Sequence, residues 1–151
     1  MQGSVTVQMN ASPSEVWDLV SDVTRIGEFS PETFEAEWVD GSTGPELGAK
    51  FRGHVKRNGV GPVYWTSCKV TSCVPERDFG FAVYAVGGRA NNWRYELEPR
   101  NGGTAVTESF RLEPHGWAKL YWALLGWARG RTNENGMRQT LERIRAVVEA
   151  A

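Results

Sequence analysis

The sequence contains few of the residues and patterns that mark many common classes of protein. Only two cysteines and two histidines occur in 151 residues, and His54 and His115 have no cysteine or carboxylate at the spacing of a metal site. The formal net charge is -1 and 23% of the residues are charged, so no basic surface for nucleic acid is indicated. No apolar run reaches the roughly 20 residues that cross a bilayer. We therefore expect no metal, no cofactor, no nucleic-acid partner and no integral membrane insertion.

Signatures of catalysis and of targeting are absent as well. The sequence has no G-x-S-x-G, no H-E-x-x-H, no P-loop and no G-x-G-x-x-G between a strand and a helix. The N-terminus lacks a basic region followed by an apolar run, so we expect no secretory signal and a cytoplasmic location. Cys68 and Cys73 are five residues apart in one predicted strand, on opposite faces, so we expect both to be free thiols.

The spacing of apolar residues predicts a strand, two short helices, six more strands and a long C-terminal helix. Apolar and polar residues alternate over residues 5–9, which indicates a half-buried first strand. Ser12 and Glu15 form a capping box at the start of a helix, and Asp22 is placed to cap a second short turn. Short loops join the later strands, which favours an antiparallel meander. These strands are expected near residues 32–39, 48–57, 63–74, 79–85, 91–98 and 104–112.

The last segment of the chain predicts an amphipathic helix that needs a sheet to pack against. Within residues 132–150, Met137, Leu141, Ile144 and Val148 recur at helical spacing, and basic and acidic residues lie off this stripe. We expect a single α+β domain over residues 1–151, with a curved antiparallel sheet of about seven strands around this helix. Such a sheet cannot close tightly along a whole helix, so a cavity is expected between them.

The stretch from residue 116 to residue 130 is unusually apolar for an exposed helix. On one helical face it carries Trp117, Leu120, Tyr121, Leu124 and Trp127, which we call the 117–127 segment. Three interpretations remain: a lid over the open mouth of the sheet, a contact in a homodimer, or an interfacial membrane anchor. The first two are favoured together, because the segment has few basic residues for lipid binding.

Two predicted strands carry aromatic residues on the same face as polar groups. Strand alternation places Trp65, Ser67 and Lys69 on one face, and it likewise places Trp93 and Tyr95 together. A dry core would not hold an unpaired hydroxyl and ammonium, whereas ligand pockets combine apolar walls with a few polar groups. We therefore predict that these faces line a cavity. The alternative is that the face with Trp65 lies in solvent.

Lys69 and Glu108 are the candidate catalytic groups. Inside a cavity, a desolvated Lys69 could serve as a base or a Schiff-base nucleophile, although a lysine head more often reaches water. Glu108 shares its face with Val106 and Phe110, so burial should raise the pKa of its carboxyl unless the group is paired. It could then act as a general acid or base, pair with Lys69, or serve only as a satisfied structural group.

Three motifs make the chain resemble a known superfamily. They are NASPSEVWD at residues 10–18, WRYELEP at 93–99 and NGMRQTLERI at 135–144, in the order of elements given above. With them, the whole chain resembles the START-like superfamily, and most closely its polyketide cyclase/dehydrase group, also called SRPBCC. The resemblance implies a helix-grip (START/Bet v 1-like) fold. It also implies a deep pocket for lipids, sterols, polyketides or plant hormones.

The resemblance also bears on the candidate site. Its aromatase/cyclase members carry Trp-x-Ser-x-Arg on the strand that matches residues 63–74, and this chain has Trp65, Ser67 and Lys69 there. We expect binding of a hydrophobic lipid-, aromatic- or polyketide-like molecule; the alternatives are a polyketide aromatase/cyclase or dehydrase, and an interaction or dimerisation module formed by the 117–127 segment. The predicted ligand-binding residues are Phe51, Trp65, Ser67, Phe81, Trp93, Tyr95, Phe110, Met137 and Leu141.

Overall fold

A single antiparallel sheet forms one layer of the fold. The computed structural model describes residues 2–56, 63–85, 88–112 and 117–150, without the side chains of residues 85, 88–90, 112 and 117–133. Seven strands occur within these ranges, in the order β1-β7-β6-β5-β4-β3-β2 across the sheet, which confirms the predicted meander. The strands are β1 (Gln2–Met9), β2 (Thr33–Val39), β3 (Lys50–Val55), β4 (Tyr64–Val74), β5 (Asp78–Ala85), β6 (Gly88–Arg100) and β7 (Gly103–Leu112).

Two short helices follow β1, as the capping residues predict. Helix α1 spans Pro13–Val20, and the Ser12 side-chain oxygen accepts a hydrogen bond of 3.2 Å from the backbone N–H of Glu15. A 3-10 helix spans Val23–Glu28, and the Asp22 carboxylate accepts a bond of 3.1 Å from the N–H of Thr24. Both side chains satisfy backbone donors that the first turn of a helix leaves unpaired.

The C-terminal helix α2 spans Trp117–Ala150. Its predicted stripe is confirmed, because Met137, Leu141, Ile144 and Val148 are all buried. The 117–127 segment belongs to the same helix, but its side chains lie outside the described residues. The lid, homodimer and membrane-surface interpretations therefore stay predictions. Among the helices in the described part of the chain, none is long and apolar enough to span a bilayer.

The core lies between α1, α2 and the inner face of the sheet. Inward positions alternate with outward ones along the strands, as the period of two requires. On β7, for example, Thr104, Val106, Glu108 and Phe110 are buried. Helix α1 contacts this core edge-on, since the rings of Trp17 and Phe79 lie 6.0 Å apart at 88°. The sheet and the two helices therefore share one apolar core.

An irregularity in β4 corrects the expected placement of the two cysteines. The pairing of β4 with β5 shifts register between Val70 and Ser72, so one extra residue enters β4. A bulge of this kind reverses the alternation beyond it. Cys68 pairs with Val83 and Cys73 pairs with Phe79, and both cysteines pack on the core side. The prediction of opposite faces was therefore wrong, and both residues are free thiols.

Loss of the α1 cap should cost a measurable amount of stability. Replacing Ser12 by Ala removes the acceptor for the Glu15 N–H. We expect the free energy of unfolding to fall by about 1 kcal/mol, the usual cost of such a change. Urea denaturation would measure it. Ser14→Ala makes the same chemical change inside the helix without touching the cap, so a loss of equal size there would contradict the capping role.

Candidate functional site

A cavity of about 190 Å³ lies between the inner face of the sheet and α2. The 3-10 helix and residues 30–32 contribute to its wall. The other wall residues lie on strands β2 to β7 and on α2. Its described lining comprises Ile26, Ser30, Pro31, Glu32, Thr33, Phe51, Gly53, Val55, Tyr64, Thr66, Cys68, Phe81, Val83, Asn91, Trp93, Tyr95, Glu108, Gly136, Met137 and Thr140. The exposed residues Pro31 and Tyr64 mark its rim, and the buried Tyr95 and Glu108 mark its inner end.

The close approach of the 3-10 helix to β2 shapes the rim. A Cβ atom on Gly27 would lie 2.2 Å from the backbone oxygen of Phe34, so only glycine permits this contact. Beyond the helix, Ser30 accepts a hydrogen bond of 3.0 Å from the N–H of Thr33. These contacts hold Ile26 and residues 30–33 beside the cavity.

Small residues on α2 leave the cavity open on the helix side. Gly136 and Thr140 both line the cavity, one helical turn apart, and the Thr140 hydroxyl donates a bond of 2.8 Å to the Gly136 carbonyl. Apart from the backbone of its own helix, no atom of the described residues lies within 4 Å of a Cβ placed on Gly136. The empty space therefore continues up to the backbone of the helix.

A buried carboxyl group occupies the inner end of the cavity. Glu108 on β7 lies directly opposite Tyr95 on β6, and Glu108 is 3% exposed. The Tyr95 hydroxyl donates a long hydrogen bond of 3.4 Å to Oε1 of Glu108, and the buried Oε2 has no hydrogen-bond partner among the described residues. Burial raises the pKa of Glu108 well above its ordinary value, and the bond from Tyr95 opposes this only in part. Burial therefore favours the protonated, uncharged form of this carboxyl.

The neighbouring titratable groups are also neutral. Burial is the main cause that raises the pKa of Tyr95 well above 10, and the adjacent Glu108 acts in the same direction. Burial raises the pKa of the Cys68 thiol to about 12, although a contact with Thr66 slightly favours the thiolate. Tyr95, Cys68 and Glu108 therefore present hydrogen-bonding groups without charge.

The described wall contains acidic groups but no basic ones. Glu32 near the rim and Glu108 at the inner end are its carboxyl groups, and no Lys, Arg or His is among the described lining residues. Across the part of the chain that the structure describes, no group of three or more His, Cys, Asp and Glu side chains could hold a metal ion. The residues present are suited to binding an apolar molecule with a polar end.

The structure places six of the predicted site residues in this wall: Phe51, Phe81, Trp93, Tyr95, Glu108 and Met137. Two others, Phe110 and Leu141, are buried but do not line the cavity. The ring of Phe110 packs 5.6 Å from that of Trp93, and Leu141 belongs to the buried stripe of α2. Contact of the six with a ligand stays a prediction.

The prediction that Trp65, Ser67 and Lys69 line the cavity is wrong. Trp65, Ser67 and Lys69 lie on the outer face and are exposed, whereas Thr66 and Cys68 point inward. The Lys69 ammonium is therefore in water on the other side of the sheet from Glu108, and the two cannot pair or share a proton. Trp65 and Ser67 match the cyclase motif and Lys69 replaces its arginine, but this partial match does not place the three residues in this cavity.

Trp65 has its own partners on the outer face. Its ring stacks on that of His54 with centroids 4.1 Å apart, and the Arg52 guanidinium carbon lies 4.2 Å from the ring centroid. His54 in turn contacts the Glu35 carboxylate at 2.7 Å. These neighbours cover part of the Trp65 indole, and the residue is 41% exposed. The aromatic and polar residues that alternate here therefore form a cluster on the protein surface and not a cavity wall.

The sequence-based prediction missed several wall residues, chiefly Thr66, Cys68, Gly136 and Thr140. For β4, the missed signal was the apolar alternation of Cys68 and Val70 against Ser67 and Lys69, which indicates which face is buried. For α2, glycine and threonine within an apolar stripe carried no comparable signal. Their importance comes from the space in front of them.

The fold defines the class of protein. This chain has a curved antiparallel sheet around a C-terminal helix with a cavity between them, which is the helix-grip fold. The sequence model of one family matches residues 2–149, and its description reads "Polyketide cyclase / dehydrase and lipid transport". The chain belongs to this family. A search of curated proteins gave no match.

Solved structures agree with this assignment. A polyketide-cyclase-like protein of Corynebacterium glutamicum is 29% identical, with 98% of this chain and 91% of that chain covered and a TM-score of 0.67. A protein of Thermus thermophilus is 16% identical, with coverages of 99% and 98% and a TM-score of 0.75. An AHSA1-like protein of Aeromonas hydrophila is 18% identical, with coverages of 99% and 93% and a TM-score of 0.67. The last two show a likeness of fold alone.

The buried carboxyl should make stability depend on pH. Because the pKa of Glu108 is higher in the folded than in the unfolded chain, the folded state holds the proton more tightly between the two values. Its contribution to the free energy of unfolding is therefore complete below the unfolded pKa and is lost as pH rises through the folded one. Glu108→Gln cannot ionise, so its stability relative to wild type should increase with pH.

Urea denaturation of wild type and Glu108→Gln between about pH 4, near the pKa of an unfolded glutamate, and about pH 9 would measure this trend. Glu134→Gln is the matched control, because Glu134 is an exposed residue on α2. The difference in the free energy of unfolding between Glu134→Gln and wild type should change little with pH. A pH-independent difference for Glu108→Gln would contradict a protonated buried carboxyl.

The two thiols should differ in reactivity. With a pKa of about 12, only roughly one Cys68 side chain in ten thousand is a thiolate at pH 8, and the group is also buried. Cys73 is only half-buried. An aromatic disulfide reagent should therefore label Cys73 first, and Cys73→Ser should abolish the faster phase. Fast labelling that persists in Cys73→Ser would show that the cavity end of β4 opens readily.

Proposed function

We propose that this protein binds a small hydrophobic molecule in the cavity between the sheet and α2. The observation that carries the proposal is an unfilled volume of about 190 Å³ with an aromatic wall, formed by Phe51, Phe81, Trp93 and Tyr95. Protein interiors are normally close-packed. A space of this size between the sheet and α2 is larger than ordinary packing leaves, and its aromatic lining suits an apolar ligand.

The size of the cavity limits the ligand. An engineered cavity of about 150 Å³ takes up benzene, so about 190 Å³ suits one aromatic ring with a short substituent. A sterol or a long polyketide would have to extend past the rim at Pro31 and Tyr64. The family description, with its lipid transport and polyketide chemistry, supports an apolar ligand without choosing among these.

A second candidate function is a polyketide aromatase/cyclase or dehydrase. A single feature favours it. Glu108 lies at the inner end of the cavity and burial raises its pKa, so its carboxyl could donate a proton to a bound substrate as a general acid. Lys69 has no part in it, since it lies on the outer face. Turnover of a poly-β-ketone would test the idea, with Glu108→Gln lowering kcat by about a hundredfold or more if proton transfer is at work. Unchanged turnover would remove this candidate.

Filling the cavity from the helix side should block binding. A leucine at Gly136 has room for its Cβ and would extend into the open space beside Thr140. We expect Gly136→Leu to weaken the binding of isopropylbenzene at least about tenfold, as measured by titration calorimetry and ligand-observed NMR. Gly136→Ala is the matched control: it should keep binding and stabilise α2 by about 0.5 to 1 kcal/mol.

Two results would contradict the proposal. One is equal affinity of isopropylbenzene for wild type and for Gly136→Leu, which would place binding elsewhere. The other is the absence of binding by isopropylbenzene, naphthalene and fatty alcohols alike, together with a native mass spectrum in which the purified protein carries no small molecule.

A further inference from the structure

The inner end of the cavity contains a polar atom with no partner. Glu108 is 3% exposed and lines the cavity, and its buried Oε2 makes no hydrogen bond with any residue that the structure describes. Buried polar atoms without partners are rare in native proteins, and each calls for an explanation. Because this atom lies in a cavity wall, a ligand in the cavity can supply the missing partner.

The surroundings decide which kind of partner is missing. Tyr95 donates its hydroxyl hydrogen to Oε1, so the proton of the neutral carboxyl is best placed on Oε2. No Lys, Arg or His is among the described wall residues, so no basic side chain there compensates a carboxylate. Oε2 is therefore a donor that lacks an acceptor.

The same surroundings disfavour charged ligands. A carboxylate ligand would enter a wall that offers two carboxyl groups, Glu32 and Glu108, and no described cation. A charge buried without a partner is far more costly than a neutral group. Before an ammonium ligand could pair with Glu108, the ligand would have to lose its hydration and the buried carboxyl its proton, and this penalty often exceeds the gain from their attraction.

We infer that the cavity selects uncharged molecules with an acceptor oxygen, such as aromatic ketones, aldehydes and esters, and that this oxygen accepts a hydrogen bond from Oε2 of Glu108. The inference rests on the proposed function and adds a class of ligand to it. The apolar part of the molecule then lies among Phe51, Phe81 and Trp93, toward the rim. Free fatty acids and aromatic acids should accordingly bind weakly.

Four probes of similar shape test this selection: acetophenone, isopropylbenzene, benzoate and 1-phenylethylammonium. They carry a neutral acceptor, no polar group, a negative charge and a positive charge on the same ring. With wild type at pH 7, calorimetry and ligand-observed NMR should show acetophenone binding about threefold to tenfold tighter than isopropylbenzene, the range of one neutral hydrogen bond. Both ions should bind at least about a hundredfold more weakly than acetophenone.

Two variants locate the effect at Glu108. Glu108→Met keeps the length of the side chain but cannot donate, so it should bind acetophenone and isopropylbenzene equally. Glu108→Gln keeps a donor in its amide and should retain the preference for acetophenone. The matched control is Glu134→Met, the same change at an exposed position of α2, which should leave every affinity at the wild-type level.

The outcomes separate this inference from the proposed function. Equal binding of acetophenone and isopropylbenzene by wild type would overturn the role of Glu108 and leave the hydrophobic site intact. Tightest binding by benzoate or by the ammonium probe would overturn the selection of uncharged ligands. Loss of the preference in Glu108→Gln as well as in Glu108→Met would overturn donation from this side chain. Failure of all four probes to bind would instead count against the proposed function itself.

Discussion

The packing of one stripe of α2 against the inner face of the sheet is the interaction on which the rest of this structure depends. Met137, Leu141, Ile144 and Val148 are buried there, and burying an apolar side chain of this size contributes about 1.5 to 3 kcal/mol. Toward its N-terminal end the stripe includes Gly136, where there is no side chain to fill the space. The contact that holds the helix in place therefore continues directly into the cavity, and one helix both stabilises the fold and forms a wall of the cavity.

The strand register decides the chemistry of that cavity. Pairing of β6 with β7 sets Tyr95 opposite Glu108 on the inner face, so an acidic side chain and its hydroxyl partner are buried together. Burial in that position disfavours the charged carboxylate and so raises the pKa of the group. The consequence is a cavity whose described wall has hydrogen-bonding groups but no positive charge. This matches a neutral, mainly apolar ligand better than an ionic one.

Local patterns predicted most of the fold, whereas the predicted site was only partly right. The strands, the caps at Ser12 and Asp22 and the buried stripe of α2 follow from periodicities that depend on neighbours in the chain. The inward direction of Glu108 also followed, because Val106 and Phe110 share its face. The face of β4 was wrong, because the aromatic Trp65 was given more weight than the alternation of Cys68 and Val70. The opposite placement of the cysteines failed because a bulge added one residue, which a periodic pattern does not reveal.

By itself, then, the sequence determined the order of the elements and the buried stripe of α2, since both depend on patterns within a strand, a turn or a helix. Its three motifs also carried the resemblance to the helix-grip class. Only the tertiary structure decided which aromatic residues line a cavity and which cover the outer surface. It also brought Glu108 beside Tyr95 and left an open space in front of Gly136. The physical reason is that a cavity is made by what distant segments fail to fill, and that depends on strand register, a bulge and the position of a helix.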